Sequence, residues 1–189
     1  MSVDVASTMP WYVIQTVTGQ ELSICQRLKA VLDPDSYVRC FVPMVEKVER
    51  RQGQSDVLRS PLYPGYLMVI TDQVDRIRRT LWKVSSFKRL LRNGREIKAL
   101  EADECQLLNH LLNEDAIIEL SKGLIVGDRI TVTDGPMLAQ EGRIRKVNRH
   151  KRYALVDLPM MGQVIQVRLP LEIVSRTKTD PLTAGNLAI

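Results

Sequence analysis

The residues of this chain best suited to chemistry crowd into one short stretch. Arg143, Arg145, Lys146, Arg149, Lys151 and Arg152 stand close together, with His150 among them. Like charges at that density repel one another and cost stability unless an anion meets them. Guanidinium groups fork onto phosphate oxygens and lie flat on bases, so the chemistry offered is polyanion binding. Catalysis has less to work with. His110 and His150 are the only histidines; the first falls among leucines and reads as structural, the second belongs to the basic turn. Glu101, Asp103 and Glu104 suit the first turn of a helix better than a metal site. No phosphate-cradling glycine loop or nucleophile motif occurs, so neither an enzyme nor a cofactor is expected. Cys25, Cys40 and Cys105 are odd in number and far apart in sequence, and read as reduced, buried thiols.

The charge of the whole chain, +5, hides an asymmetry. Residues 1–121 hold equal numbers of cations and anions, whereas residues 122–178 hold eleven Lys/Arg against five Asp/Glu. That imbalance points to a nucleic-acid contact in the last third. Membrane lipid fits less well, because no amphipathic helix carries these charges. The longest apolar runs are too short to cross a bilayer, and the N-terminus lacks the pattern of a signal peptide. The expectation is a cytoplasmic monomer without membrane contact.

These residues must be positioned by elements, and the chain reads in two styles. The first alternates strands and helices. The stretches 11–17, 37–44 and 64–71 are apolar, β-branched or aromatic and predict strands, the third of them central. A polar hairpin is expected over 45–59, turning at Gln52-Gly53-Gln54. Helices are expected over 20–32, 73–84 and 100–113 from apolar residues at helical spacing. In the second helix Val74, Ile77, Leu81 and Val84 form the apolar face; Arg76, Arg79 and Lys83 lie opposite, with Arg78 at the flank. Another strand and turn follow near residue 87. The fold class expected is α+β: an α/β sandwich with a mainly antiparallel sheet, then a small all-β unit. In that unit "DRITVT", "GRIRKV", "YALVDL", "QVIQVRL" and "EIVSR" predict five strands of a barrel. Strand alternation would place Arg143, Arg145 and Val147 on one side and Ile144, Lys146 and Asn148 on the other.

Four stretches, "WYVIQTVTGQE", "PLYPGYLMV", "VGDRITVTDGP" and "EGRIRKVN", resemble in order and spacing the NusG family of transcription elongation factors. The resemblance spans about residues 10–177. It implies a flexible N-terminus (1–9), a NusG N-terminal domain (10–112), a linker (113–121), a five-stranded KOW barrel (122–177) and a flexible tail (178–189). It also implies binding to the clamp helices of RNA polymerase, through positions Trp11, Tyr12, Leu62, Tyr63, Pro64 and Tyr66. Tyr63 is expected to be the most exposed, since it precedes Pro64 at a strand entrance. The helix bearing Arg76, Arg78, Arg79 and Lys83 matches the part of the family facing the polymerase gate loop and non-template DNA.

Two features depart from general NusG proteins. The strand after Gly142 is basic where theirs is typically acidic. At 161 a Met stands where general members carry the Phe with which they meet ribosomal protein S10 or Rho, and Met can still fill an apolar pocket. Both departures resemble specialised paralogues of the LoaP type, processive antiterminators whose KOW domain engages nascent RNA. Arg143, Arg145, Lys146, Arg149, His150, Lys151 and Arg152 would then grip RNA, in the form of a hairpin. The alternatives are a general NusG-like elongation or termination factor and a ribosome-associated KOW protein.

Overall fold

The aromatic and β-branched run at the start forms β1 (Trp11–Thr16) in the computed structural model, which describes residues 9–51, 54–82, 87–93 and 95–177. Val13 and Ile14 are neighbours on opposite faces of β1, yet both are fully buried. The strand is therefore covered on both sides. The same holds for β5 (Tyr66–Ile70), where Leu67 through Ile70 are buried in succession. With β2 (Arg39–Phe41) and β6 (Phe87–Leu90) they make an antiparallel sheet in the order β2-β5-β1-β6.

The register of β1 on β5 sorts side chains into two layers. Ile14, Leu67 and Val69 face α1 (Glu21–Val31) and α2 (Val74–Leu81), meeting Ile24, Leu28, Ile77 and Leu81. Trp11, Val13, Met68 and Ile70 face the other way, toward Leu107, Leu108 and Leu111 of α3 (Ala102–Leu111). Burying each such aliphatic side chain contributes about 1.5–3 kcal/mol. β3 (Met44–Arg51) and β4 (Gln54–Pro61) pair as the expected hairpin, though residues 52–53 of its turn lie outside the described residues. Between them in the chain and the last sheet come the short β7 (Arg92–Asn93) and β8 (Glu96–Ile97). The segment read as linker holds a short strand, β9 (Ile117–Ile118), parallel to β3.

The all-β part is one five-stranded sheet, ordered β11-β10-β14-β13-β12. Its strands are β10 (Ser121–Val126), β11 (Arg129–Asp134), β12 (Ile144–Asn148), β13 (Tyr153–Met160) and β14 (Gln163–Thr177). Two expectations need correction. β10 begins inside the stretch read as linker. The expected strands "QVIQVRL" and "EIVSR" are one strand, β14, which pairs with β13 through Pro170 and with β10 from Leu171. Pro170 sits at that change of partner, a place where a residue without an N–H fits. Gly135 ends β11 with φ +94, and a Cβ there would lie 2.7 Å from Ser121 Cα, so the "DGP" turn needs glycine.

The apolar layer beneath β1 does not end at α3. One packed cluster runs from Trp11, Leu62, Tyr63 and Leu108 into Leu158, Met160 and Val167 of the C-terminal sheet. The two parts of the chain are thus docked. No helix among the described residues is long and apolar enough to cross a membrane.

Candidate functional site

β12 and β13 are antiparallel neighbours joined by a turn over residues 149–152. Asn148 Oδ1 accepts from the Lys151 backbone N–H at 2.9 Å, and Arg152 takes φ +49 to close the turn. The seven clustered residues fall into two groups here. Arg143 lies in a 3-10 turn, half-buried, and its Nε donates to Gln140 Oε1 at 3.1 Å. Arg145 Nε sits 2.5 Å from Asp157 Oδ2. That bond holds the Asp157 carboxyl below the usual carboxylate range. Arg152 pairs with Glu172 Oε1 at 3.2 Å and its side chain is only 19% exposed. Lys146, Arg149, His150 and Lys151 are exposed, and none has an ion pair among the described residues.

The expected alternation of this strand is also corrected. Arg143 precedes the strand, and the register slips between Ile144 and Lys146. The slip sets Arg145 outside the simple two-face pattern, which lets it reach Asp157 on the next strand.

The six residues expected to contact polymerase are not all open. Trp11 is 3% exposed and packs edge-on against Phe41, with ring centroids 5.5 Å apart. Leu62 is buried, Tyr12 and Tyr66 are half-buried, and Pro64 is exposed. The expectation that Tyr63 stands most exposed fails: it is 2% exposed. Burial pushes its phenol pKa well up, and the Glu104 charge adds to the shift. Tyr63 belongs to the apolar cluster of Trp11, Leu62, Leu107 and Leu108, beside Glu104. Residues 165–168 of β14 face Leu62, Tyr63, Pro64 and Tyr66 across a cleft of about 360 Å³, which Lys47 also lines.

On α2, Arg76 is paired with Asp33, and Arg78 with Asp75 at 3.0 Å. Arg79 Nε donates to the Asp75 carbonyl, leaving its charge without a carboxylate partner among the described residues. Lys83 and Val84 lie outside the described residues.

Three buried or half-buried acids hold these surfaces in place, and sequence reasoning missed their roles. Glu21, buried in the first turn of α1, accepts from the Gly65 N–H at 2.6 Å, tying "TGQE" to "YPGY". Glu141 accepts from the Val132 N–H at 2.9 Å, tying "EGRIRKVN" to the preceding strand. Glu104 accepts from the Glu101 N–H with one oxygen, at 2.8 Å, and from the Gly162 N–H with the other, at 2.9 Å. Gly162 belongs to the two-residue turn joining β13 to β14, with Met161 at φ +55 and Gly162 at φ +75. Met161, at the departure from the general pattern, thus faces the first part of the chain, half-buried against the shared core. For Glu21 and Glu141 the available signal was a carboxylate next to a glycine-bearing turn; Glu104 gave only a capping-box signal, three residues after Glu101. Cys25 and Cys40, distant in sequence, also meet, with sulfurs 3.9 Å apart.

A family model described as "Transcription termination factor nusG" matches residues 9–109. Among curated proteins, the transcription termination/antitermination protein NusG of Rickettsia typhi is 24% identical over 164 residues, covering 84% of this chain and 85% of that protein. The protein of the same name from Thermus thermophilus is 26% identical over 178 residues, covering 86% of this chain and 95% of that one. The solved structure of domain interaction in Thermotoga maritima NusG shares the fold, with TM-score 0.52 and 19% identity over 87% of this chain and 95% of that one.

Proposed function

The chain belongs to the NusG family, and from that premise we propose that it is a specialised transcription elongation and antitermination factor. In this reading residues 10–112 bind RNA polymerase and the sheet of residues 122–177 binds nascent RNA, with 113–121 between them. The observation that carries the RNA half is the group Lys146, Arg149 and Lys151, exposed and without carboxylate partners among the described residues. They lie at the end of β13 opposite the docked turn, about 25 Å away for an eight-residue strand. RNA can therefore reach the basic turn while the sheet stays docked. Arg145 and Arg152 are paired with carboxylates and support the turn, Arg143 is half-buried against Gln140 ahead of the strand, and His150 stands beside the phosphate contacts.

The polymerase half is supported by family membership and by the apolar residues Leu62, Tyr63 and Tyr66. Because β14 covers them, contact through Leu62 and Tyr63 requires the two parts of the chain to separate. Pro64 and Tyr66 at the rim would be met first. Arg79 is the residue of α2 best placed to meet non-template DNA, since Arg76 and Arg78 are already paired.

Transcription in vitro tests this reading. Read-through of a terminator by RNA polymerase should rise with this protein on templates whose leader RNA forms a hairpin it binds. It should fall back when Lys146, Arg149 and Lys151 are replaced by Ala. Equal read-through with and without the three cations would exclude the RNA-guided role.

A further inference from the structure

A second surface lies directly beneath the basic turn, and charge counting along the chain does not find it. Lys146 of β12 is opposite Leu155 of β13, which is opposite Arg168 of β14. The three therefore form a row across one face, with the two cations about 10 Å apart over two strand spacings. In the next row toward the turn stands Tyr153, opposite Asn148. The Arg168 guanidinium reaches diagonally over the Tyr153 ring, its Cζ 5.2 Å from the ring centroid. Leu155 and Tyr153 are half-buried, Lys146 and Arg168 exposed. No carboxylate pairs with Arg168 among the described residues, while the nearest acid of this face, Asp157, is held by Arg145.

A pure phosphate site needs only charge. This face offers the Arg168 guanidinium held over an aromatic ring, a flat apolar floor and a second cation, Lys146, across the row. Arginine planes stack on unpaired bases, and the flanking Lys146 suits a phosphate beside such a base. We propose that this shelf holds one unpaired nucleobase of an RNA stem-loop, stacked on the Arg168 guanidinium over Tyr153, while the turn above it grips the backbone. The proposal rests on the RNA reading given above. It makes the loop or bulge of the RNA, rather than its paired stem, the part that distinguishes one RNA from another.

Stacking tolerates any base, so a generic probe suffices. The full chain is titrated with a stem-loop RNA whose adenine-rich loop carries 2-aminopurine, and with a blunt duplex of the same stem. The wild type should prefer the stem-loop roughly ten-fold or more, the size expected of one stacked base, and should quench the 2-aminopurine. Arg168→Lys keeps the charge but not the plane, and should lose the preference and the quenching while still binding duplex. Tyr153→Leu, which keeps an apolar strand residue, should do the same by releasing Arg168. Thermal melting checks that both variants remain folded. If Arg168→Lys prefers and quenches the stem-loop as the wild type does, the shelf is not the base site, and the RNA reading survives. If the wild type binds neither RNA, both fall.

Discussion

Asp157 and Glu104 decide which charges are free and how the chain is joined. Arg145 looked like any other member of the basic cluster, but Asp157, twelve residues on, takes its charge. The sequence displays the cations plainly. It does not display their partners, because cross-strand register chooses them. Asp157→Asn should release Arg145 and steepen the log–log salt dependence of RNA binding by about one, the value of one added phosphate contact. Its sign with pH follows from the lowered carboxyl. Any stability from the Arg145 contact is present above the ordinary carboxylate pKa and is lost as pH falls through the depressed value. Acid titration of unfolding should therefore show wild type and Asp157→Asn converging only in strong acid. At Glu104 the carboxylate satisfies a helix-start N–H and the Gly162 N–H together. Glu104→Ala should cost about 0.5–2 kcal/mol in urea unfolding, from a lost capping box and a lost hydrogen bond to the Gly162 N–H. A cost near zero would show that the docked turn does not depend on it.

At the scale of elements, most of the framework was legible. Helical spacing found α1, α2 and α3, and apolar runs found β1 and β5, because those patterns arise from burial on known faces. The basic turn was legible as a charge run between two alternating segments. Its division into working and supporting cations was not. Arg152 has φ +49 and pairs with Glu172, so Arg152→Ala should lower stability as well as RNA affinity. Lys146, Arg149 and Lys151 are surface residues, and replacing them together should leave unfolding within about 0.5 kcal/mol per site of wild type. The same triple replacement should flatten the salt dependence of RNA binding by roughly 2–3. Comparing the two sets by thermal melting and salt titration separates a residue that builds the turn from those that meet the ligand. Failure to see Arg168 has a simple cause: it is sixteen positions beyond the basic run and joins it only through the β13–β14 register.

The molecule as a whole was the least legible. Each part announced its own fold, but nothing in either announced that Leu158, Met160 and Val167 share a core with Leu62 and Tyr63. Exposure of Tyr63 was expected from its place before a proline, and its packing into the apolar cluster beside Glu104 reverses it. Docking interfaces of this kind are written in surface complementarity between distant segments, which periodicity does not capture. Met160 is buried within that shared core, so Met160→Glu should part the two halves and raise hydrogen exchange along β5 and α3. If the polymerase contact uses Leu62 and Tyr63, the same variant should bind polymerase more tightly than the wild type. In the proposed function the basic turn meets RNA independently of the face that meets polymerase. A pair of anisotropy titrations of the full chain tests this, one with a labelled stem-loop RNA and one with labelled RNA polymerase, comparing the wild type with the Lys146, Arg149 and Lys151 triple alanine variant. RNA affinity should fall roughly a hundred-fold or more, three charge-assisted contacts of at least about 1 kcal/mol each, while polymerase affinity stays unchanged. Unchanged RNA affinity, or an equal loss of both, would contradict it.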